Sequence, residues 1–98
     1  MALLNISISE VLYGAPYVAA EVLNGETRDV TSTSADTTFT LTTPPGPCII
    51  TISAADDMYV SIAPSADAAS DAKRRLILGG TAPSFMAAGG QQIKARLA

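Results

Sequence analysis

The chain has no histidine, no tryptophan and a single cysteine among its 98 residues. Without histidine, no mechanism that needs an imidazole base or ligand is available. One cysteine excludes an intrachain disulfide and any thiolate metal cage. Aromatic residues are scarce, with two Phe and three Tyr, so stacking platforms for bases or sugars are few. No apolar run approaches the ~18 residues of a membrane span. The N-terminal Met1-Ala2-Leu3-Leu4-Asn5 shows neither a positive n-region nor a long h-region, so no secretory signal is read there. Charged residues make up 15% of the chain, the net charge is -3 and the pI is near 4.5. Such a balance repels phosphate backbones, so nucleic acid is not expected as a partner.

A chain of this length predicts one domain, residues 1–98, with one core. Hydrophobic residues reach 48%, but 17 of them are Ala. Ser and Thr fill 19 positions, and Ile and Val add 13. These side chains suit a pleated, half-buried surface. Asn5-Ile6-Ser7-Ile8-Ser9-Glu10 alternates strictly. A break at Tyr13-Gly14-Ala15-Pro16 precedes a second predicted strand, Tyr17 to Leu23. Asn24-Gly25 then predicts a tight hairpin, because both residues tolerate φ > 0. The return strand runs from Glu26 to Thr33, and Ser34-Ala35-Asp36 turns the chain again. Thr37 to Thr42 alternates, with Phe39 and Leu41 inward.

Thr43-Pro44-Pro45-Gly46-Pro47 lacks three backbone donors and predicts a rigid loop outside any sheet. Cys48 to Ala54 is apolar on both faces, as a central strand would be. Asp56-Asp57 marks a turn and Met58 to Ala63 alternates once more. Pro64 to Ala72 reads as an exposed loop. A second reading makes Ser65 to Leu76 a helix, with Ser65 as N-cap and Asp71 paired with Arg75 at i,i+4. Short strands at Leu76–Leu78, Ser84–Ala87 and Gln91–Leu97 follow, punctuated by Gly79-Gly80 and Gly89-Gly90. About eight short strands with turns every 8–12 residues predict an all-β, jelly-roll-like β-sandwich.

Charge is unevenly distributed along the chain. Residues 1–71 hold all nine acids and Arg28, giving 1 − 9 = -8, whereas residues 72–98 hold Lys73, Arg74, Arg75, Lys94 and Arg96, giving +5. One reading pairs these cations with acids on neighbouring strands. The other directs Arg74, Arg75, Lys94 and Arg96 at an acidic partner surface.

No chemical constellation emerges. Asp56 and Asp57 read as solvated turn residues. Asp67 and Asp71 lack the further oxygen ligands that calcium needs. Cys48 sits among Pro47, Ile49 and Ile50 and reads as a buried apolar residue. The paired glycines precede no phosphate-binding pattern. No catalytic residue, metal ligand or cofactor site is assigned, and neither a small-molecule substrate nor a membrane is expected as partner. Tyr13, Tyr17 and Tyr59, each with an apolar body and a polar tip, read as sheet-face packing or interface anchors.

The C-terminal half resembles a known family. Met58-Tyr59-Val60-Ser61-Ile62-Ala63, a small-residue loop, Arg75-Leu76-Ile77-Leu78-Gly79-Gly80, a short Phe-bearing segment and Gly90-Gln91-Gln92-Ile93-Lys94-Ala95 follow one order. That order resembles the small head-decoration (cement) proteins of tailed bacteriophages over roughly residues 48–98. Residues 1–47 share only a threonine-rich, strand-and-turn character. The resemblance implies a non-catalytic virion protein on the capsid exterior. Its expected partners are the major capsid protein and further copies of itself, as a dimer or trimer. The alternative is a tail, neck or fibre-base component that binds a receptor or glycan. Pro44, Pro45, Pro47, Arg74, Arg75, Lys94 and Arg96 are the candidate contact residues.

Overall fold

A computed structural model describes residues 2–10, 22–44, 46–64 and 74–98. Two four-stranded antiparallel sheets face each other across one apolar core, as in a β-sandwich. The strands are β1 (Leu3–Glu10), β2 (Val22–Asp29), β3 (Thr37–Thr38), β4 (Cys48–Ala54), β5 (Met58–Ala63), β6 (Arg75–Ile77), β7 (Ser84–Ala87) and β8 (Gln92–Leu97). The first sheet has the order β2-β1-β4-β7 and the second β3-β8-β5-β6. If β1 is counted last instead of first, these orders are those of a two-Greek-key jelly roll. The chain enters that arrangement one strand early.

Period-two alternation decides which residues face inward. In β1 these are Leu4, Ile6 and Ile8, and in β4 Cys48, Ile50, Ile52 and Ala54, all buried. The ladder sets Ile6 opposite Ile52 and Ile8 opposite Ile50, so the two central strands share an apolar row. Met58, Val60, Ile77, Ile93 and Ala95 supply the opposing sheet, and Phe39 and Leu41 close one side. Each fully buried Ile or Leu contributes roughly 1.5–3 kcal/mol. The expected strands at β1, β4, β5, β7 and β8 stand within one or two residues of their predicted limits. β4 lies between β1 and β7 as a central strand, but its outward side carries Thr51 and Ser53 beside Ile49, so the expected second apolar face is limited to Ile49.

Three expectations are corrected. Asn24-Gly25 is not a hairpin turn. Both residues lie inside β2, where Asn24 faces Ile8 and Gly25 faces Ser7. The glycines with positive φ are Gly46, Gly80 and Gly90 among the described residues. Long-range pairing with β1 wins over the local turn preference, and the Asn24 side chain accepts the Gly25 N–H at 2.9 Å. The β1–β2 connection falls instead in residues 11–21, so the expected strand from Tyr17 lies outside the described residues up to position 21.

The expected Thr37–Thr42 strand is a ladder only at Thr37–Thr38. Beyond it, the segment follows β8 through spaced bonds, Phe39 N–H to Ile93 O at 3.0 Å and Thr43 N–H to Gln91 O at 3.0 Å. Phe39 and Leu41 are inward as predicted. A helix reaching Leu76 does not form at that end, because Arg75 and Leu76 belong to β6 and pair with Val60 and Tyr59. The rest of that segment, including Asp67 and Asp71, lies outside the described residues.

Candidate functional site

The edges of the two sheets are built differently from their faces. β2 is an edge strand whose Glu26 and Arg28 lie opposite the inward-facing Ile6 and Leu4. Both charges therefore point to the core side of the sheet. Arg28 Nε donates to Glu26 Oε2 at 2.6 Å. The Glu26 carboxylate also accepts the Thr40 hydroxyl, the Thr40 N–H at 3.2 Å and the Leu41 N–H at 3.0 Å. It thus ties the edge of the first sheet to the segment running along the second. Burial pushes this carboxyl up, but the hydrogen bonds from Thr40, Arg28 and Leu41 outweigh burial and hold it at about 2.

The opposite side of the sandwich repeats the device with one cation. Arg75 on edge strand β6 stands opposite buried Val60, so it too points inward. Its guanidinium lies over the Phe85 ring of β7, 4.1 Å from the centroid. This contact spans the gap between the two sheets beside a cleft of about 240 Å³ that Ile62, Phe85 and Gln91 also line. The remaining edges are short, with two residues in β3 and four in β7. A register irregularity between Ile8 and Ser9 interrupts the β1–β2 pairing. Inward charges, short strands and bulges all obstruct strand addition.

The two broad outer faces differ in chemistry. On the first sheet, alternation sends Asn5, Ser7, Ser9, Thr51, Ser53 and Ser84 outward. Asn5 Nδ2 donates to Thr27 Oγ1 at 2.9 Å, Ser7 Oγ donates to Asn5 Oδ1 at 3.0 Å, and Thr51 and Ser84 share a hydroxyl bond at 2.8 Å. Small uncharged groups dominate, with Asp29 at one end and Met86 exposed at the other.

On the second sheet, Lys94 and Arg96 point outward because Ile93 and Ala95 point in. Arg96 stands directly opposite Tyr59 on β5, and Lys94 opposite Ser61 on β5 and Thr38 on β3. Arg74, just ahead of β6, places its guanidinium over the Tyr59 ring, 3.8 Å from the centroid. Leu76 faces Tyr59 from the other side and is exposed, as is Leu78 two residues further on. Ser61, in the middle of this face, is buried.

Of the candidate contact residues, Arg74, Lys94 and Arg96 thus converge around Tyr59. Arg75 is separated from them on the inward side. Pro44 is half-buried and Pro47 exposed in the loop before β4, while Pro45 lies outside the described residues. That loop is anchored elsewhere. The Thr43 hydroxyl donates to Ala88 O at 2.9 Å and accepts the Gln91 N–H at 2.7 Å, which locks it to the β7–β8 turn. The expected cancellation by neighbouring acids is not found in the ladders, since the registered partners of Lys94 and Arg96 are Thr38, Ser61 and Tyr59. The strand order places β8 between β3 and β5, and neither carries an acid.

Other sequence-level candidates resolve simply. Cys48, the first residue of β4, is buried on its inward side, and burial pushes its thiol up. Asp57 holds the Gly79 N–H at 2.8 Å, a turn role, beside an open depression of about 560 Å³ that Asp56 and Leu97 also line. Tyr13 and Tyr17 lie outside the described residues. Glu26, Thr43 and the exposed Leu76–Leu78 pair carry structural or surface roles that the sequence reading did not assign. For Glu26, the signal was an acid at a position where alternation demands an inward residue.

The chain matches no family model, no curated protein and no solved structure.

Proposed function

We propose that the protein is a non-catalytic adhesion module that binds the outside of a phage capsid and stabilises it across capsomer boundaries. The observation that carries this reading is that charge points inward at the edge strands, while polar and cationic side chains occupy the outward positions of the two sheets. Glu26 and Arg28 at β2, and Arg75 at β6, direct charge inward at edge strands. A domain packed at high density on a shell must not extend its sheets into its neighbours, and inward charges oppose such pairing. Its contacts then fall on broad faces, where many weak copies act together through mass action and multivalency.

Further support comes from the order of strands and turns over residues 48–98, which resembles the head-decoration proteins, and from an eight-stranded sandwich of jelly-roll order, an architecture that viral capsid domains use. The acidic balance of the chain suits the outside of a shell better than its DNA-facing side.

The test is addition of the purified protein to undecorated capsids of the phage that carries its gene. Saturable binding and a raised capsid disruption temperature are expected. Absence of capsid binding, with binding to tail structures or to a host polysaccharide, would replace this reading with a tail, neck or fibre-base role.

A further inference from the structure

We infer that the outer face of the β3-β8-β5-β6 sheet is the docking face, and that its counterpart is an acidic protein surface on the shell. This inference rests on the capsid-adhesion reading and adds which face binds and to what chemistry.

Three observations converge on this face. First, Arg74, Lys94 and Arg96 stand together on the outer side of one sheet of a chain whose net charge is -3. One step beyond the β3–β8 ladder, Asp36 falls beside Arg96, so among the described residues the face carries three cations against one acid, with Arg74 and Asp36 each engaged in further interactions. No described residue forms an ion pair with Lys94 or Arg96. Lys94 and Arg96 are the cations of this face available to a partner of opposite sign, and they set encounter rate and orientation.

Second, the Arg74 guanidinium lies over the Tyr59 ring, 3.8 Å from its centroid, which holds an Arg–Tyr pair beside Arg96 on this face. Third, Leu76, opposite Tyr59, is 52% exposed, and Leu78, just past the end of β6, is 53% exposed. Tyr and Arg are among the residue types enriched as anchors at interface centres. The outer face of the first sheet also exposes Leu3 and Met86, but strands β1, β4 and β7 bring no cation to it. Its hydroxyls largely bond to one another.

Charge decides the occupant. An acidic surface is complementary to the patch, whereas a second copy of this face would set like charges against each other.

The test compares the full-length protein with two double variants that change net charge equally. Lys94→Gln with Arg96→Gln removes two cations from the proposed face. Ser9→Glu with Ser53→Glu adds two anions to the opposite face. Binding of each to undecorated capsids is measured at low and high salt. The first pair is expected to lose about tenfold or more in affinity and most of the salt dependence, and the second to stay within about twofold of the parent. Parent binding with both pairs unchanged, or with only the second impaired, overturns the face assignment and leaves the adhesion reading intact. Concentration-dependent self-association abolished by the first pair would replace the shell with a second copy as occupant.

A titration of the isotopically labelled parent with a poly-glutamate peptide reads the face without any capsid. Amide shifts at Tyr59, Lys94 and Arg96 that salt reverses support the inference. Shifts confined to the first sheet, or none, contradict it. Failure of the parent to bind capsids, with these shifts present, rejects the adhesion reading alone.

Discussion

Glu26 and Leu41 lie 15 positions apart on different sides of the sandwich, and the Glu26 carboxylate accepts the Leu41 N–H at 3.0 Å. With Thr40 and Arg28 on the same carboxylate, this is a polar seam along one edge. Glu26→Gln removes the charge and weakens four interactions at once. The expected loss of unfolding free energy is about 1–2 kcal/mol, read as a lower denaturant midpoint with an unchanged slope. A midpoint equal to that of the parent would remove the seam from the account of stability.

The same residue sets an acid limb. Its folded value of about 2 lies below the ordinary 4.5. Its contribution is therefore fully present above about pH 4.5 and is lost as pH falls toward 2. A displacement of this size corresponds to at most about 3 kcal/mol, which solvent screening reduces to about 1–2. Chemical denaturation between pH 5 and pH 2 is expected to show this decline in the parent and a flatter profile in Glu26→Gln. Parallel profiles for the two proteins would contradict the assignment.

Gly25 separates the observed fold from the expected hairpin. In a type I′ turn the second residue needs φ > 0, and alanine there costs about 1 kcal/mol or more. In β2, Gly25 has no positive φ, and an added Cβ would lie 3.4 Å from Ile6 O. Gly25→Ala is therefore expected to change stability by less than about 0.5 kcal/mol, since the gain from reduced chain freedom offsets the tight contact. A loss above about 1.5 kcal/mol would restore the turn.

Gly79 gives the opposite result for a different reason. A Cβ at this position would come within 2.8 Å of Asp56 Cα and 3.0 Å of Ala55 O, both backbone atoms that cannot rotate away. Gly79→Ala is expected to cost about 1–3 kcal/mol, the range of overpacking. Near-neutral thermal denaturation would show that the β4–β5 bend yields.

Thr43 tests the anchoring of the proline loop. Valine matches its shape but leaves Ala88 O and Gln91 N–H without their partner. Because Thr43 is buried, Thr43→Val is expected to cost about 1–3 kcal/mol. Faster amide exchange at Gln91 should accompany the loss. Unchanged exchange would place the anchor elsewhere.

Much of this architecture is legible in the residues themselves. Ile6, Ile8, Ile50 and Ile52 declare their strands because alternation at period two can bury only one face. The apolar run at Cys48–Ala54 correctly implies a strand between two others. What misleads is local preference set against distant pairing. Asn24-Gly25 carries a strong turn signal, yet the β1 ladder absorbs it. The charged candidates divide in the same way. Arg74 and Arg75 are adjacent in sequence, but opposite faces of a strand send one to Tyr59 and the other to Phe85. Sequence order cannot show that Arg74 joins Lys94 and Arg96, because their meeting depends on β5 standing between β6 and β8. The Glu26 seam stays hidden for the same reason, since its partners at Thr40 and Leu41 lie on another layer.

Cryo-electron microscopy of the native particle tests the adhesion reading most directly. Density for the sandwich at regular positions on the capsid exterior, with the Tyr59 face toward the shell, is the predicted result. A particle whose shell surface is bare of this domain, or one that carries it only at the tail, would contradict the account.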